Sequence, residues 1–311
     1  MDTGKIAALL NLAFRQESAL NKLLDTFKNF FNSGLSFKRI IASFMIIAEC
    51  IGCIIFDSPV SPSGQELDLS EYKLVFEDEF NGNELNSDNW YVRGNGPRRS
   101  GFNASSQVSV KDGNLVITGE YLENGEYGPG WYVAAIGMNE YYSYGYYEIK
   151  CICNKGKDFW SAFWIQSPNN PYDHNISQGG VNGAEIDIFE SAYPENIFVS
   201  KYNYTTSTVH CNGWDDDKEN IDSRMIGKFK TGNDICSEYN TFGLEWTEDE
   251  YIFYINGVET GRTSFGKGVS KIPEQVLVSL EIPDKEIEYD KDYKTEFIVD
   301  YVRYYQKNPN K

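Results

Sequence analysis

The chain has 311 residues, with 46 Asp plus Glu against 28 Lys plus Arg, a net charge of -18 and a pI near 4.6. An acidic surface of this kind repels a polyanion and offers few cations for counterion release, which argues against nucleic acid as a partner. The two histidines, His174 and His210, are too few for a multi-histidine zinc centre and leave little for a Ser-His or Cys-His relay, while aromatics at 15 % and 27 glycines supply a large core and many turns.

The first 60 residues differ from the rest. They hold Lys5, Arg15, Lys22, Lys28, Lys38 and Arg39 against Asp2, Glu17, Asp25, Glu49 and Asp57, a net of +1, so the remainder carries -19. All six tryptophans and all 22 tyrosines lie beyond residue 70. A helical stretch over Ile6 to Phe31 precedes an apolar run from Ile40 to Phe56, entered through Lys38-Arg39. That run is at the lower edge of what spans a bilayer, and Glu49 inside it costs about 2 to 3 kcal/mol on insertion scales, so a cleaved export signal fits at least as well as a retained anchor. Ile51-Gly52-Cys53 loosely resembles a lipoprotein cleavage box at which Cys53 would take lipid; a buried helix of a cytosolic protein is the remaining alternative. Residues 1–57 therefore read as a leader with a signal or anchor segment at 40–56, which predicts a secreted or cell-surface protein, attached to the membrane if the segment is retained. Residues 58–70, with Pro59, Pro62 and Gly64, read as a linker.

From Glu71 onward short β-branched and aromatic runs alternate with turn residues. Asn114 to Thr118, Tyr144 to Ile152, Thr241 to Trp246, Tyr251 to Ile255 and Phe297 to Tyr305 are the clearest, and Asn256-Gly257 between two such runs predicts a hairpin. Many strands without a long amphipathic helix predict an all-β sandwich of about 240 residues. Cys151 and Cys153 are predicted to share a strand face, a geometry poor for pairing with each other, whereas Cys211 and Cys236 could form one bridge after export; four unpaired buried thiols are the alternative.

Acids interrupt an apolar strand in one place, Glu185-Ile-Asp187-Ile-Phe-Glu190. Glu185 and Asp187 share a face because strand side chains alternate, and Glu190 joins them only if a β-bulge at Ile188-Phe189 inserts one extra residue. Three carboxyls on one face repel, which couples their titrations and raises at least one proton affinity. Glycoside cleavage uses such an arrangement: one ionised carboxylate attacks the anomeric carbon while a protonated one delivers a proton to the leaving oxygen. A solvated edge strand is the reading without function.

Glu185-Ile-Asp-Ile-Phe-Glu190 resembles the signature of glycoside hydrolase family 16 in its longer, bulged E-x-D-x-x-E form, typical of the laminarinase, agarase and carrageenase branches. Phe76-Glu-Asp-Glu-Phe-Asn-Gly82, Trp90, Asp112 to Ile117, Tyr144 to Glu148, Trp160-Ser-Ala-Phe-Trp164, Phe242 to Gly257 and Val299 to Arg303 resemble the family's other strands in order and spacing, over roughly residues 71–306. The resemblance implies a β-jelly-roll with a concave glycan cleft, Glu185 as nucleophile, Asp187 as assisting acid, Glu190 as acid/base, and retention at the anomeric centre. It also implies sugar contacts from Trp160 and Trp164, cleft positions for Asn95 and Asn103, and a place near the acid/base for His210. No cofactor is implied beyond a structural calcium ion at Asp300 with the Gly113 carbonyl; ion-free packing there is the alternative. The run Asp215-Asp-Asp217 reads as a solvated loop.

The expected activity is endo-hydrolysis of internal β-1,3 or mixed β-1,3/1,4 linkages of a β-glucan by a monomer. Leu277-Val-Ser-Leu-Glu-Ile282 departs from the segment many laminarinases carry on the last cleft strand, so the cleft floor differs. Arg98-Arg99 is the only adjacent arginine pair after the leader, and the apparent lack of a basic cleft ranks a β-galactanase of the agarase or carrageenase type second. A transglycosylase shares the covalent intermediate, and a glucan-binding protein shares the scaffold but would gain nothing from keeping all three acids.

Overall fold

A computed structural model of the chain describes residues 59–156, 158–168, 180–191, 203–211, 222–264 and 268–308, with Phe44 in addition. The expected leader, Cys50, Cys53, His174 and the Asp215 to Asp217 run lie outside the described residues. The strands are β1 (Tyr72–Asp78), β2 (Trp90–Arg93), β3 (Gly96–Arg98), β4 (Gly101–Asn103), β5 (Val108–Lys111), β6 (Asn114–Leu122), β7 (Gly130–Val133), β8 (Ala135–Tyr142) and β9 (Gly145–Ile152). They continue with β10 (Trp160–Gln166), β11 (Ala184–Glu190), β12 (Tyr204–Cys211), β13 (Asp222–Lys230), β14 (Asn240–Trp246), β15 (Tyr251–Ile255), β16 (Val258–Thr263), β17 (Glu274–Glu281) and β18 (Lys294–Lys307).

These strands form two sheets. One has the order β13-β12-β11-β10-β17-β8-β2; the other runs β16-β15-β14-β9-β18-β6-β7-β4-β3, with β1 added on β18 and β5 on β6. Each strand sends alternate side chains inward. Ile149 and Cys151 of β9, Phe163 and Ile165 of β10, Ile186 of β11, Val276, Val278 and Leu280 of β17 and Phe297 of β18 meet in one core between the sheets. The expected sandwich is thus the observed one, and Asn256-Gly257 makes its hairpin between β15 and β16, both residues at positive φ (50° and 75°). That pair is what a type I′ turn requires.

The stretch read as a linker is instead docked as an edge. Val60 exchanges backbone hydrogen bonds with Lys228 and Lys230, Gly64 and Gln65 with Glu259, and Leu67 with Gly257. Leu67 and Leu69 then cover Tyr146, Ile252 and Tyr254 on the outer face of the larger sheet. Proline and glycine gave the segment a linker's composition, but its alternating Val60, Leu67 and Leu69 find apolar surface to cover. Cys151, Cys153, Cys211 and Cys236 are all buried and none is in a disulfide, which is the alternative of four buried thiols rather than a Cys211–Cys236 bridge.

Candidate active site

The seven-stranded sheet holds the acids on the face turned away from the core. Against β12, Asp187 lies opposite Thr208 and Glu190 opposite Thr206; against β10, Asp187 lies opposite Trp164 and Phe189 opposite Phe163. Two residues of β11, Ile188 and Phe189, therefore stand against one of β12, Ser207, and Ile188 is the extra one facing β10. It remains buried, and its carbonyl accepts a hydrogen bond from Ser207 Oγ at 2.8 Å. The bulge reverses the alternation after Asp187, so Glu190 joins Glu185 and Asp187 while Ile186, Ile188 and Phe189 stay in the core.

Each acid has a different environment. Gln166 Nε2 donates to Glu185 Oε2 at 2.7 Å, and Trp160 Nε1 donates to Glu190 Oε1 at 3.1 Å. Asp187, 6 % exposed, places Oδ2 3.0 Å from His210 Nε2, and His210 Nδ1 meets Ser223 Oγ at 2.6 Å. Burial, then the Asp187 charge, pushes Glu185 up to about 7 and Glu190 up to about 8. Burial opposes a charge on His210, but the Asp187 hydrogen bond and charge, reinforced by both glutamates, raise it to about 9. The imidazolium and Asp187 thus form an ion pair at neutral pH, and Glu190 is the more strongly proton-holding of the two glutamates.

The acids stand in a cleft of about 490 Å³ lined also by Trp160, Ala162, Trp164, Ser279, Glu281 and Asp284 and by three arginines, Arg93, Arg98 and Arg99. Arg93 lies 4.9 Å above the Trp164 ring and donates to Gln166, the same glutamine that holds Glu185. Arg99 lies 4.8 Å above the Trp160 ring, and Arg98 binds Glu281 at 2.6 Å. Three of the six arginines beyond residue 60 therefore face the cleft, which overturns the expectation that it lacks a basic signature. Arg93 was invisible as a cleft residue because it is an isolated arginine on an edge strand; only pairing β2 beside β8 brings it there.

Of the residues singled out in the sequence, Glu185, Asp187, Glu190, Trp160, Trp164 and His210 line this cleft, and Asn95 and Asn103 do not. Asn95 is exposed in the turn between β2 and β3, and Asn103 is buried at the end of β4 in the opposite sheet. His210 contacts Asp187 rather than Glu190. Gln166, the partner of Glu185, also escaped sequence reading, although its place two residues after Trp164 on the same strand face was a usable signal. Asp300, the candidate calcium ligand, is paired with Lys150 at 2.7 Å, and Gly113 occupies the tight β5–β6 turn at φ 73°. Glu185, Asp187 and His210 bring ligand atoms within 4.8 Å of one another, and theirs is the only such three-ligand group among the described residues; within it His210 Nε2 and Asp187 Oδ2 are 3.0 Å apart.

A two-sheet sandwich whose outward-facing acid triad lies in an aromatic cleft defines a jelly-roll of the carbohydrate-active type. Residues 73–307 match the family model described as "Beta-porphyranase A-D, GH16 domain", which takes in well over half of the chain, and the protein belongs to glycoside hydrolase family 16. A glucan endo-1,3-beta-glucosidase from Cryptopygus antarcticus is 28 % identical over 188 residues, covering 57 % of this chain and 63 % of that protein. Beta-porphyranase D from Zobellia galactanivorans is 31 % identical over 195 residues, covering 56 % and 43 %. Among solved structures, SCLam, a non-specific endo-beta-1,3(4)-glucanase, superposes with a TM-score of 0.61 at 21 % identity over 80 % of this chain and 96 % of its own. Porphyranase B from Zobellia galactanivorans gives 0.59 at 20 % identity over 78 % and 99 %. These two likenesses show the fold. The chain spans less than two thirds of the length of the first curated relatives it matches, 63 % and 56 %.

Proposed function

We propose that this protein is a retaining endo-glycosidase that cuts internal β-linkages of a polysaccharide through a covalent glycosyl-enzyme. The observation that carries the reading is the bulge at Ile188, which sets two glutamates of unequal proton affinity on one cleft face. Glu185, ionised, forms a bond to the anomeric carbon as the glycosidic C–O bond breaks, and Glu190 gives its proton to the departing oxygen. Water then attacks the same carbon, Glu190 takes its proton, and Glu185 leaves as a carboxylate. Asp187, held by His210, keeps a negative charge beside Glu185 without being consumed. Trp160 orients Glu190 and Gln166 orients Glu185, each through its hydrogen bond.

The substrate read first is a β-1,3 or mixed β-1,3/1,4 glucan, supported by the glucanase relatives and by aromatic rings that suit the C–H faces of a pyranose. A second reading, a charged β-galactan, is favoured by the porphyranase family model and by Arg93, Arg98 and Arg99 in the cleft. Reducing-end release from laminarin, mixed-linkage glucan, agarose, porphyran and carrageenan decides between them. Proton NMR of the first-formed product tests retention: a β-anomer supports the mechanism and an α-anomer refutes it. A sugar acceptor that diverts most product into longer chains would assign a transglycosylase. Residues 1–57 are proposed to serve export or surface attachment, so a chain starting at Pro59 is expected to keep full specific activity and to lose only its destination.

A further inference from the structure

The strand register lines up the cleft in transverse rows. Asp187 lies opposite Trp164, Trp164 opposite Leu277, Leu277 opposite Gly137 and Gly137 opposite Tyr91. A second row runs Glu190, Ala162, Ser279, Ala135, Arg93. Residues facing one another across antiparallel strands share a sheet face, so Tyr91 is on the acids' face, at the far end of their own row. The four strand spacings from β11 to β2 amount to roughly 19 Å, the length of several sugar units. Between the two ends one row carries Trp164, Leu277 and Gly137 and the other the small residues Ala162, Ser279 and Ala135.

Tyr91 is held as a platform. A Cβ at Gly137 would stand 2.8 Å from its Cε1 and 3.0 Å from its Cζ and hydroxyl, so the ring rests on the β8 backbone, yet the residue remains 39 % exposed. Its hydroxyl donates to Gln275 Oε1 at 3.0 Å, and Gln275 Nε2 donates to the Met138 carbonyl at 2.7 Å. Met138 belongs to the irregular stretch of β8 where pairing with β17 shifts between Leu277 and Gln275. That irregularity frees a carbonyl, the glutamine fills it, and the tyrosine is pinned by the glutamine's other end. Tyr141, 40 % exposed and opposite Gln275, widens the apolar surface at the end of the row that carries Gln166 and Glu185.

We propose that Tyr91, flanked by Tyr141, is a distal subsite that stacks an uncharged pyranose of the same glycan chain several units from the bond that is cut. This rests on the endo-glycosidase reading. An exposed ring fixed in advance loses little conformational freedom on binding, and the flat C–H face of a pyranose fits it. Arg93, two residues along the same face of β2, is turned over the Trp164 ring and donates to Gln166, so the Tyr91 ring presents a neutral stacking face.

The test is calorimetric binding of two neutral ladders, laminari- and neoagaro-oligosaccharides of two to eight units, to the full chain carrying Glu185→Gln to prevent turnover. With Tyr91 present, affinity is expected to keep rising beyond four units for the ladder that binds. Adding Tyr91→Ala is expected to weaken octamer binding about tenfold, the scale of one aromatic contact, and to flatten that rise. Tyr91→Phe, which keeps the ring and loses the Gln275 tether, should fall between the two. An octamer affinity unchanged by Tyr91→Ala overturns the subsite, as does an equal loss at every length, which would mark Tyr91 as a purely structural residue. If neither ladder binds with or without Tyr91, the neutral-glycan reading of the whole cleft fails, and the subsite with it.

Discussion

Two pairs of strand glutamates, one on each sheet, stand in contrasting surroundings, which suit one pair to bracing the fold and the other to the proposed chemistry. On the outer face of the larger sheet, Glu148 accepts hydroxyls from Tyr146 at 2.7 Å and Tyr301 at 2.8 Å, and Glu245 accepts from Tyr72 at 2.6 Å and Tyr254 at 3.0 Å. Both oxygens of each carboxylate are occupied by a donor that stays protonated, because burial first and the glutamate itself next push Tyr146 well above its ordinary value. In the cleft, Glu185 and Glu190 each receive one side-chain donor, from Gln166 and Trp160, and share the charge of Asp187. The carboxyls with two donors brace a sheet. Those in the cleft, through burial first and the Asp187 charge second, hold protons near neutral pH, and with one donor each they keep an oxygen free for a reacting atom.

The largest expected effect follows from removing the group with no substitute. Glu185→Ala should lower kcat/KM on the preferred polysaccharide by on the order of 10⁴-fold or more, whatever the leaving group. Glu190→Ala should cost about 10²- to 10⁴-fold on the polysaccharide but spare the first step with a good aryl leaving group, which departs without a proton. Azide needs no general base, so it should restore turnover of the aryl glycoside by Glu190→Ala and give a β-glycosyl azide. An α-azide from that variant would exchange the two roles, and normal activity in both variants would remove the triad from the mechanism.

The acid cluster was legible in the sequence because the site is nearly local: Glu185, Asp187 and Glu190 lie within six residues, and alternation alone demands the bulge that the strand pairing contains. Strands such as β9 and β14 were legible for the same reason, each carrying an alternating pattern, and β15 through an unbroken run of aromatic and β-branched residues. What stayed hidden is set by pairing between distant segments. Arg93 and Tyr91 reach the cleft only because β2 adds to β8, and Glu281 meets Arg98 across 183 residues of chain. Residues 59–70 misled through composition, since proline and glycine mark an edge-docked segment as readily as a free linker. Asn95 and Asn103 were placed by analogy of loop position, and neither is among the residues that line the cleft.

A smaller effect distinguishes the two glutamates of the cleft by pH. With Glu185 near 7 and Glu190 near 8, kcat/KM should describe a narrow bell: the acid limb reports ionisation of the nucleophile and the alkaline limb loss of the proton from the acid. For the aryl glycoside, Glu190→Ala should erase the alkaline limb and keep the acid one. Stability should move the same way. Carboxyls raised above their ordinary 4.5 favour the folded state less once they ionise, so stability from Glu185 and Glu190 falls as pH rises from about 4.5 through 8. His210, raised from 6.5 to about 9, adds stability that is complete below 6.5 and lost as pH climbs through 9. Denaturant midpoints at pH 5 and pH 9 should therefore be higher at pH 5, and Glu185→Gln with Glu190→Gln should narrow the gap. A midpoint that rises with pH would contradict this account.

The smallest effect on turnover belongs to the outer face. Glu148→Gln keeps the shape of its side chain and one accepting oxygen, but its NH₂ now faces a tyrosine hydroxyl that had been a donor, so that hydroxyl must turn to accept. Two charge-assisted hydrogen bonds become neutral ones, a loss of about 1 to 2 kcal/mol, or roughly 2 to 8 °C in Tm for a domain of this size. The melt reads that loss directly. Activity should stay within about twofold, because Glu148 is on β9 of the opposite sheet and its partners Tyr146 and Tyr301 do not line the cleft. The comparison breaks if Glu148→Gln lowers kcat/KM as far as Glu190→Ala does, for then the outer sheet would be setting the chemistry. It sharpens if Tm falls while the pH bell keeps both limbs in place. In that case, the doubly clamped carboxylate contributes to the fold, and the proton affinities of the cleft pair are set by their burial and by the Asp187 charge beside them.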